Sequence, residues 1–147
     1  MSSERRQAGF FYEDLEIGME ASLDTVVTEG DIVAFAGISG DRNPVHLDAA
    51  YAAGTPFRQR ISHGMLTASY ISAVFGMKLP GPGAIYVSQT LNFRRPVFID
   101  DRIITICRLV ELWPAKRRVR FDCSCANADG KAVLEGEAIL MVPARPA

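Results

Sequence analysis

Between Ser62 and Met77 the chain carries Met65-Leu-Thr-Ala-Ser-Tyr-Ile-Ser-Ala-Val-Phe75, a stretch that is apolar or small on nearly every side of a helix. A helix without a polar face has nothing to offer water and must be enclosed. It is too short to cross a membrane, since no apolar run in the sequence approaches the roughly 18 residues a span requires. The enclosure therefore has to be protein. Leu79-Pro80-Gly81-Pro82-Gly83 ends the helix, and β-rich segments follow at Ala84 to Phe93, Arg102 to Leu112, Arg117 to Ala126 and Ala132 to Val142. Val119, Phe121, Cys123 and Cys125 alternate with Arg118, Arg120, Asp122 and Ser124, the pattern of a strand with one wet face. Asn127-Ala-Asp-Gly130 is a hairpin signal, because Asp-Gly readily supplies positive φ. With a further strand at Glu20 to Val27, these elements predict an α+β layer fold in which an antiparallel sheet wraps a helix of about 62–77.

Ahead of that helix, Thr28-Glu29-Gly30-Asp31 offers an N-cap with an acid three residues on, predicting a short helix that ends before Gly40. Another helix is expected from Asp48 to Ala53. No repeat or Pro/Ser-rich linker divides the chain, so residues 1–147 read as one domain with its core at about 11–142 and a frayed tail at Pro143 to Ala147. A domain of 147 residues buries roughly 70% of the surface of its unfolded chain and needs no staples.

Charge excludes some partners. Sixteen basic and 17 acidic residues leave a net charge of −1, which gives no field to gather nucleic acid or an anionic membrane. The polar stretch Met1 to Gly9 lacks the apolar core of a secretory signal. Cys107, Cys123 and Cys125 are an odd set, and Cys123-Ser124-Cys125 lacks metal or redox spacing. Buried, reduced thiols in a cytoplasmic protein are the expectation.

The chain has only two histidines, His46 and His63, both beside turn formers. Asp41 and His46 flank Asn43-Pro44, where proline disfavours the α conformation at the preceding residue, so a rigid turn rather than an ordinary helix is expected to aim both side chains at one point. An imidazole beside a carboxylate can hold and deprotonate water near neutral pH. Ser39-Gly-Asp-x-Asn-Pro44 is equally a good turn sequence, and residue types alone leave both readings open. No third histidine or cysteine cluster stands at ligand spacing, so no metal is expected. Ser62-His63-Gly64 opens the enclosed helix, where backbone N–H groups lack partners and the dipole is positive. Gly64 would let a carbonyl oxygen approach that backbone, while the plainer alternative makes Ser62 an N-cap and Gly64 a packing residue. A serine-hydrolase triad is disfavoured because Gly-x-Ser-x-Gly is missing. Gly81-Pro82-Gly83 is too short and proline-broken to cradle phosphate.

Taken together, Phe35-Ala-Gly-Ile-Ser-Gly-Asp-Arg-Asn-Pro-Val-His-Leu-Asp48, Ile61-Ser-His-Gly-Met65, Leu79-Pro-Gly-Pro-Gly-Ala-Ile-Tyr86 and Phe93-Arg-Arg-Pro-Val-Phe98 resemble the MaoC-like (R)-specific enoyl-CoA hydratases, or hydratase 2, of the hotdog fold. The likeness runs from about Phe11 to Val142. It implies a homodimer of hotdog subunits and reversible hydration of trans-2-enoyl-CoA to (R)-3-hydroxyacyl-CoA without a cofactor. By the same resemblance Asp41 and His46 activate the water, the Gly64 backbone N–H receives the thioester oxygen, and Ser72 lies near the substrate. Phe75, about one turn on, is expected either to stop the acyl tail at roughly C4 to C6 or to be plain core. Arg94, Arg95, Arg117 and Arg118 are candidates to meet CoA phosphates, since arginine pairs well with phosphate, although most of them read as solvated strand-face charges. Two alternatives remain: a hotdog thioesterase, disfavoured because Ser62 to Met77 has no acid to direct water at the carbonyl, and a non-catalytic acyl-thioester binder. Nothing in the sequence separates CoA from acyl carrier protein as the thiol carrier.

Overall fold

The computed structural model describes residues 9–147, so the signal-free stretch expected over Met1 to Gly9 lies, but for Gly9, outside the described residues. Strands β1 (Glu20–Val26), β2 (Ile85–Gln89), β3 (Asn92–Phe93), β4 (Arg102–Trp113), β5 (Arg118–Ala126) and β6 (Ala132–Met141) form one antiparallel sheet. Its order is β1-β4-β5-β6-β2, with β3 also on β6. Helices α1 (Glu29–Ser39), α2 (Pro44–Leu47) and α3 (Ala49–Ala53) precede the long α4 (Gly64–Met77).

The β5 alternation works as read. Val119, Phe121, Cys123 and Cys125 are buried and Arg118, Arg120, Asp122 and Ser124 face outward. Ile103, Thr105, Cys107 and Leu109 of β4 are buried beside them, and all three cysteines are free thiols. Gly130 takes the expected positive φ, 76°, in the β5–β6 turn. No helix among the described residues is long and apolar enough to cross a membrane.

Four expectations need correction. Helix α4 starts at Gly64 rather than near Ser62: His63, with φ −59° and ψ 134°, is its N-cap, and the Ser62 N–H before it donates to the Val97 carbonyl at 2.7 Å. The helix is enclosed on one side only: Leu66, Ile71, Val74 and Phe75 enter the core, while Met65, Ser72 and Met77 face out, Met77 being 77% exposed. A single sheet layer covers one face of a helix, so the second apolar face stays uncovered in one chain. The strand expected over Ala84 to Phe93 splits into β2 and β3, since Thr90 leaves the ladder to pair with Glu137 through both its N–H and its hydroxyl. A Cβ on Gly136 would stand 1.8 Å from the Thr90 carbonyl oxygen, so only glycine permits that approach. Finally, the C-terminal segment is tied rather than frayed: Tyr12 donates to the Pro143 carbonyl at 2.9 Å, and the Arg145 N–H to Glu13 at 2.8 Å.

Phe75 is 2% exposed and lies in the core, its ring 4.8 Å from Phe121 and edge-on to Tyr86 at 5.5 Å. Phe75→Ala should therefore cost about 3–5 kcal/mol by urea denaturation, the usual range for emptying an aromatic core site. A loss under about 1 kcal/mol would show that the ring is not held as described.

Candidate active site

The segment from Ser39 to Asp48 is built from nested local bonds. Helix α1 opens on a capping box, with Thr28 Oγ1 accepting from the Asp31 N–H at 3.1 Å and Asp31 accepting from the Thr28 N–H at 3.0 Å. It closes at Gly40, whose φ of 79° turns the chain out. Ser39 Oγ then donates to the Phe35 carbonyl and accepts from the Asp41 N–H; Asp41 Oδ1 accepts from Asn43, and Asn43 Oδ1 from Val45. The turn-forming and functional readings of this sequence are thus compatible, because Asp41 spends Oδ1 on the turn and leaves Oδ2 free to face His46. Against expectation, a helical turn begins at once after Asn43. Pro44 is its first residue, a position where the missing N–H is no loss and the fixed φ suits the helix. That turn, α2, delivers His46 inward.

His46 Nε2 stands 4.0 Å from Asp41 Oδ2, with the two side chains 10% and 53% exposed. The gap is too wide for a direct hydrogen bond and suits one water bound to both. His46 Nδ1 lies 2.8 Å from the Ile61 carbonyl, an acceptor only, so Nδ1 carries the proton and Nε2 presents its lone pair towards Asp41. The Arg60 guanidinium donates to the His46 carbonyl at 2.7 Å and pairs with Glu29, anchoring the turn from behind. Burial holds the His46 pKa below the ordinary imidazole value and His63 adds to that, while the Ile61 bond and Asp41 oppose it. The net effect keeps His46 neutral, able to accept a proton.

The Gly64 N–H, at the start of α4, donates to no acceptor among the described residues. It opens on a cleft of about 500 Å³ bounded by Phe57, Ile61, Gly64, Phe93, Val97 and Leu134. A Cβ at residue 64 would meet the Phe93 ring at 2.6 Å, so glycine also serves packing. Ser72 is exposed on the outward side of α4, about 12 Å along the helix from Gly64 at 1.5 Å per residue. Phe75 points away from the cleft into the core. The structure thus brings Asp41 and His46 together, connects them to Gly64 only through His63, the residue before it, and leaves Ser72 and Phe75 apart; neither Asp41 nor His46 is among the residues lining the cleft at Gly64.

His63, which the sequence reading weighed but gave no role, joins the group. It is buried, its Nε2 lies 2.8 Å from the Asp41 carbonyl, and its ring stacks on His46 at 3.8 Å. The available signal was its place in a chain with only two histidines, directly before Gly64. Its presence removes the spacing argument against a metal, since Asp41, His46 and His63 hold ligand atoms within 4.8 Å of one another. A different argument applies. The imidazole planes are stacked 3.8 Å apart and only 27° from parallel, so a lone pair in each plane does not converge on one ion at the roughly 2.0–2.1 Å a metal demands. The remaining nitrogen of each ring faces a carbonyl.

Comparison with known proteins places this arrangement in context. The family described as MaoC like domain matches residues 13–126. A protein of Methylorubrum extorquens named 3-hydroxybutyryl-CoA dehydratase is 51% identical over 133 residues, covering 90% of this chain and 84% of that protein. An (R)-specific enoyl-CoA hydratase of Rhodospirillum rubrum is 50% identical, covering 92% and 93%. Among solved structures, R-hydratase PhaJ1 of Pseudomonas aeruginosa superposes with a TM-score of 0.89 at 47% identity, over 93% of this chain and 88% of that one. The Aeromonas caviae (R)-hydratase superposes at 0.87 with 37% identity, over 89% and 99%. With a helix laid on an antiparallel sheet, a neutral histidine facing a carboxylate, and these relatives, the chain belongs to the MaoC-like family of hotdog-fold proteins.

Proposed function

We propose that this protein is a hydro-lyase that adds water reversibly to trans-2-enoyl-CoA, giving (R)-3-hydroxyacyl-CoA. The observation that carries the mechanism is the 4.0 Å gap between Asp41 Oδ2 and His46 Nε2, two acceptors aimed at one point. A water donating to both is oriented and made nucleophilic. Its oxygen bonds to C3 as a proton passes to the Asp41–His46 pair, and the C2=C3 π electrons move to form the enolate. The Gly64 N–H, at the positive end of α4, stabilises the oxygen on which that charge develops. The proton is then returned to C2 from the same face, so water is added whole and no cofactor is needed. The two relatives' names describe the same reaction in opposite directions, and the four-carbon hydroxyacyl group in one of them supports short acyl chains.

The thioester oxygen is assigned to Gly64 and the acyl tail to the α4 side of the site; Ser72, on the outward side of α4, is a substrate contact on the family resemblance alone. Because Phe75 is turned into the core against Phe121 and Tyr86, it would limit the tail, roughly at C4 to C6, only by backing the wall that the tail meets. Support for a homodimer comes from the exposed apolar side chains Ile85, Tyr86 and Val87 on the edge strand β2 and from Met65 and Met77 on α4, surfaces that a second copy would cover. The buried free thiols suit a reducing compartment, and the cytoplasm is the assigned location. CoA is preferred over acyl carrier protein on the two relatives' names.

The primary experiment follows loss of the conjugated enoyl absorbance over a series of trans-2-enoyl-CoAs and determines the product configuration. The (R) product is expected; release of free CoA without hydration would support the thioesterase instead. Asp41→Asn and His46→Gln, each folded as judged by circular dichroism, should lower kcat at least about a hundredfold. Near-normal turnover in both would remove the assignment. For Phe75→Ala, a gain on octenoyl relative to crotonyl thioester supports the tail-stop role, and equal losses on both leave the ring as core alone.

The pH dependence has a definite sign. His46 works unprotonated and its pKa is depressed, so the acid limb of kcat/KM should lie below the ordinary imidazole value of about 6.5. Stability follows the same direction: the unfolded chain takes the proton first, so the contribution of His46 is whole above about 6.5 and is lost as pH falls toward the folded value. A pH–rate profile with its acid limb above that value would contradict the buried, neutral histidine.

A further inference from the structure

We propose that His63 is a positioning residue that holds Asp41 in register with His46 and couples this pair to the thioester-binding start of α4. The inference rests on the hydratase reading for its kinetic consequences but on geometry for its content. Among the described residues, every other hydrogen bond of the Gly40–Asn43 backbone is local, with Ala36, Ser39, Gly40, Asp41 and His46. The His63 Nε2–H to Asp41 carbonyl bond, 2.8 Å long, is the one that crosses to another part of the chain. Without it the Asp41 end of the turn would be held only by bonds within the turn, since the Ile61 and Arg60 contacts secure its other end, at Val45 and His46.

The His63 ring packs against two other rings. It stacks on His46 with centroids 3.8 Å apart and meets Phe35 of α1 at 4.9 Å. It is 2% exposed, and its Nδ1 has no hydrogen-bond partner. Burying an unsatisfied nitrogen costs free energy that a phenyl ring of similar size would avoid. What phenylalanine lacks is the Nε2–H. His63 is also the N-cap of α4 without capping it through its side chain, so its polar capacity is directed at Asp41 rather than at the helix. Because the next residue is Gly64, a displacement of His63 moves both halves of the site together.

Because the chain has only two histidines, 15N-histidine labelling of the full protein resolves both rings. The expected spectrum at neutral pH shows His46 protonated at Nδ1 and His63 at Nε2; His63 protonated at Nδ1 instead would overturn the proposal. His63→Phe keeps a ring and deletes the donor, and should lower kcat about 10- to 100-fold, the scale of an ångström-level misplacement, with KM for crotonyl-CoA changed less than about threefold. His63→Gln restores an N–H and should recover about tenfold of that loss. A His63→Phe enzyme within about twofold of the native kcat, or equal losses in both variants, would reduce His63 to packing and overturn the proposal. If His63→Phe does not fold, the tautomer measurement and His63→Gln decide. If the native protein hydrates no enoyl thioester, the functional reading fails while the nitrogen spectrum still judges the His63 contact.

Discussion

Ile71 and Val74 of α4 are completely buried against the sheet, and that burial decides where the unsatisfied N–H groups at the helix start are delivered. The helix cannot slide or rotate without withdrawing these side chains, and Phe75 with them, from a core of β4, β5 and β6 residues. Its first residue, Gly64, is therefore a fixed point. The Ser62 N–H bond to Val97 and the Ile61–Phe98 bridge pin the approach to it. A polarising group gains catalytic value from being held in place before the reaction, and here the hydrophobic core supplies that rigidity.

The other half of the site obeys a different physics. Asp41 lies on a half-exposed loop and His46 beneath it is nearly buried, so water can reach the carboxylate while desolvation keeps the imidazole neutral. The arrangement gives two acceptors with separate environments, the condition under which one water can be oriented and deprotonated. Local hydrogen bonds from Ser39, Asp41 and Asn43 set the loop shape, and the contacts with Ile61, Arg60 and His63 set its position. Shape and position are thus determined by different parts of the chain.

The uncovered surfaces have a common origin. An antiparallel sheet of this size can cover one face of a helix, and its edge strand β2 leaves backbone groups and apolar side chains unpaired. Met65 and Met77 on α4 belong with Ile85, Tyr86 and Val87 on β2 as apolar surface in excess of what one chain can bury. The sequence reading of an enclosed helix, apolar or small on nearly every side, counted Met65 and Met77 correctly as apolar but assigned their burial to a single chain.

Sequence alone was sufficient wherever the controlling interactions are local or periodic. The Thr28 capping box, the Gly40 stop, the β5 alternation and the Gly130 turn depend on residues a few positions apart, and each formed where expected. The pairing of Asp41 with His46 was legible because one short turn connects them. The chain could not declare that Thr90 would draw β2 and β3 apart through Gly136, that Pro143 and Arg145 would bind back to the Tyr12–Asp14 turn, or that Phe75 would face Phe121. Nor could it place His63, whose partner Asp41 is 22 residues away. Such contacts carry no signature in spacing, because the loops between them set no geometry of their own. Their distances and directions exist only once the helix has packed onto the sheet.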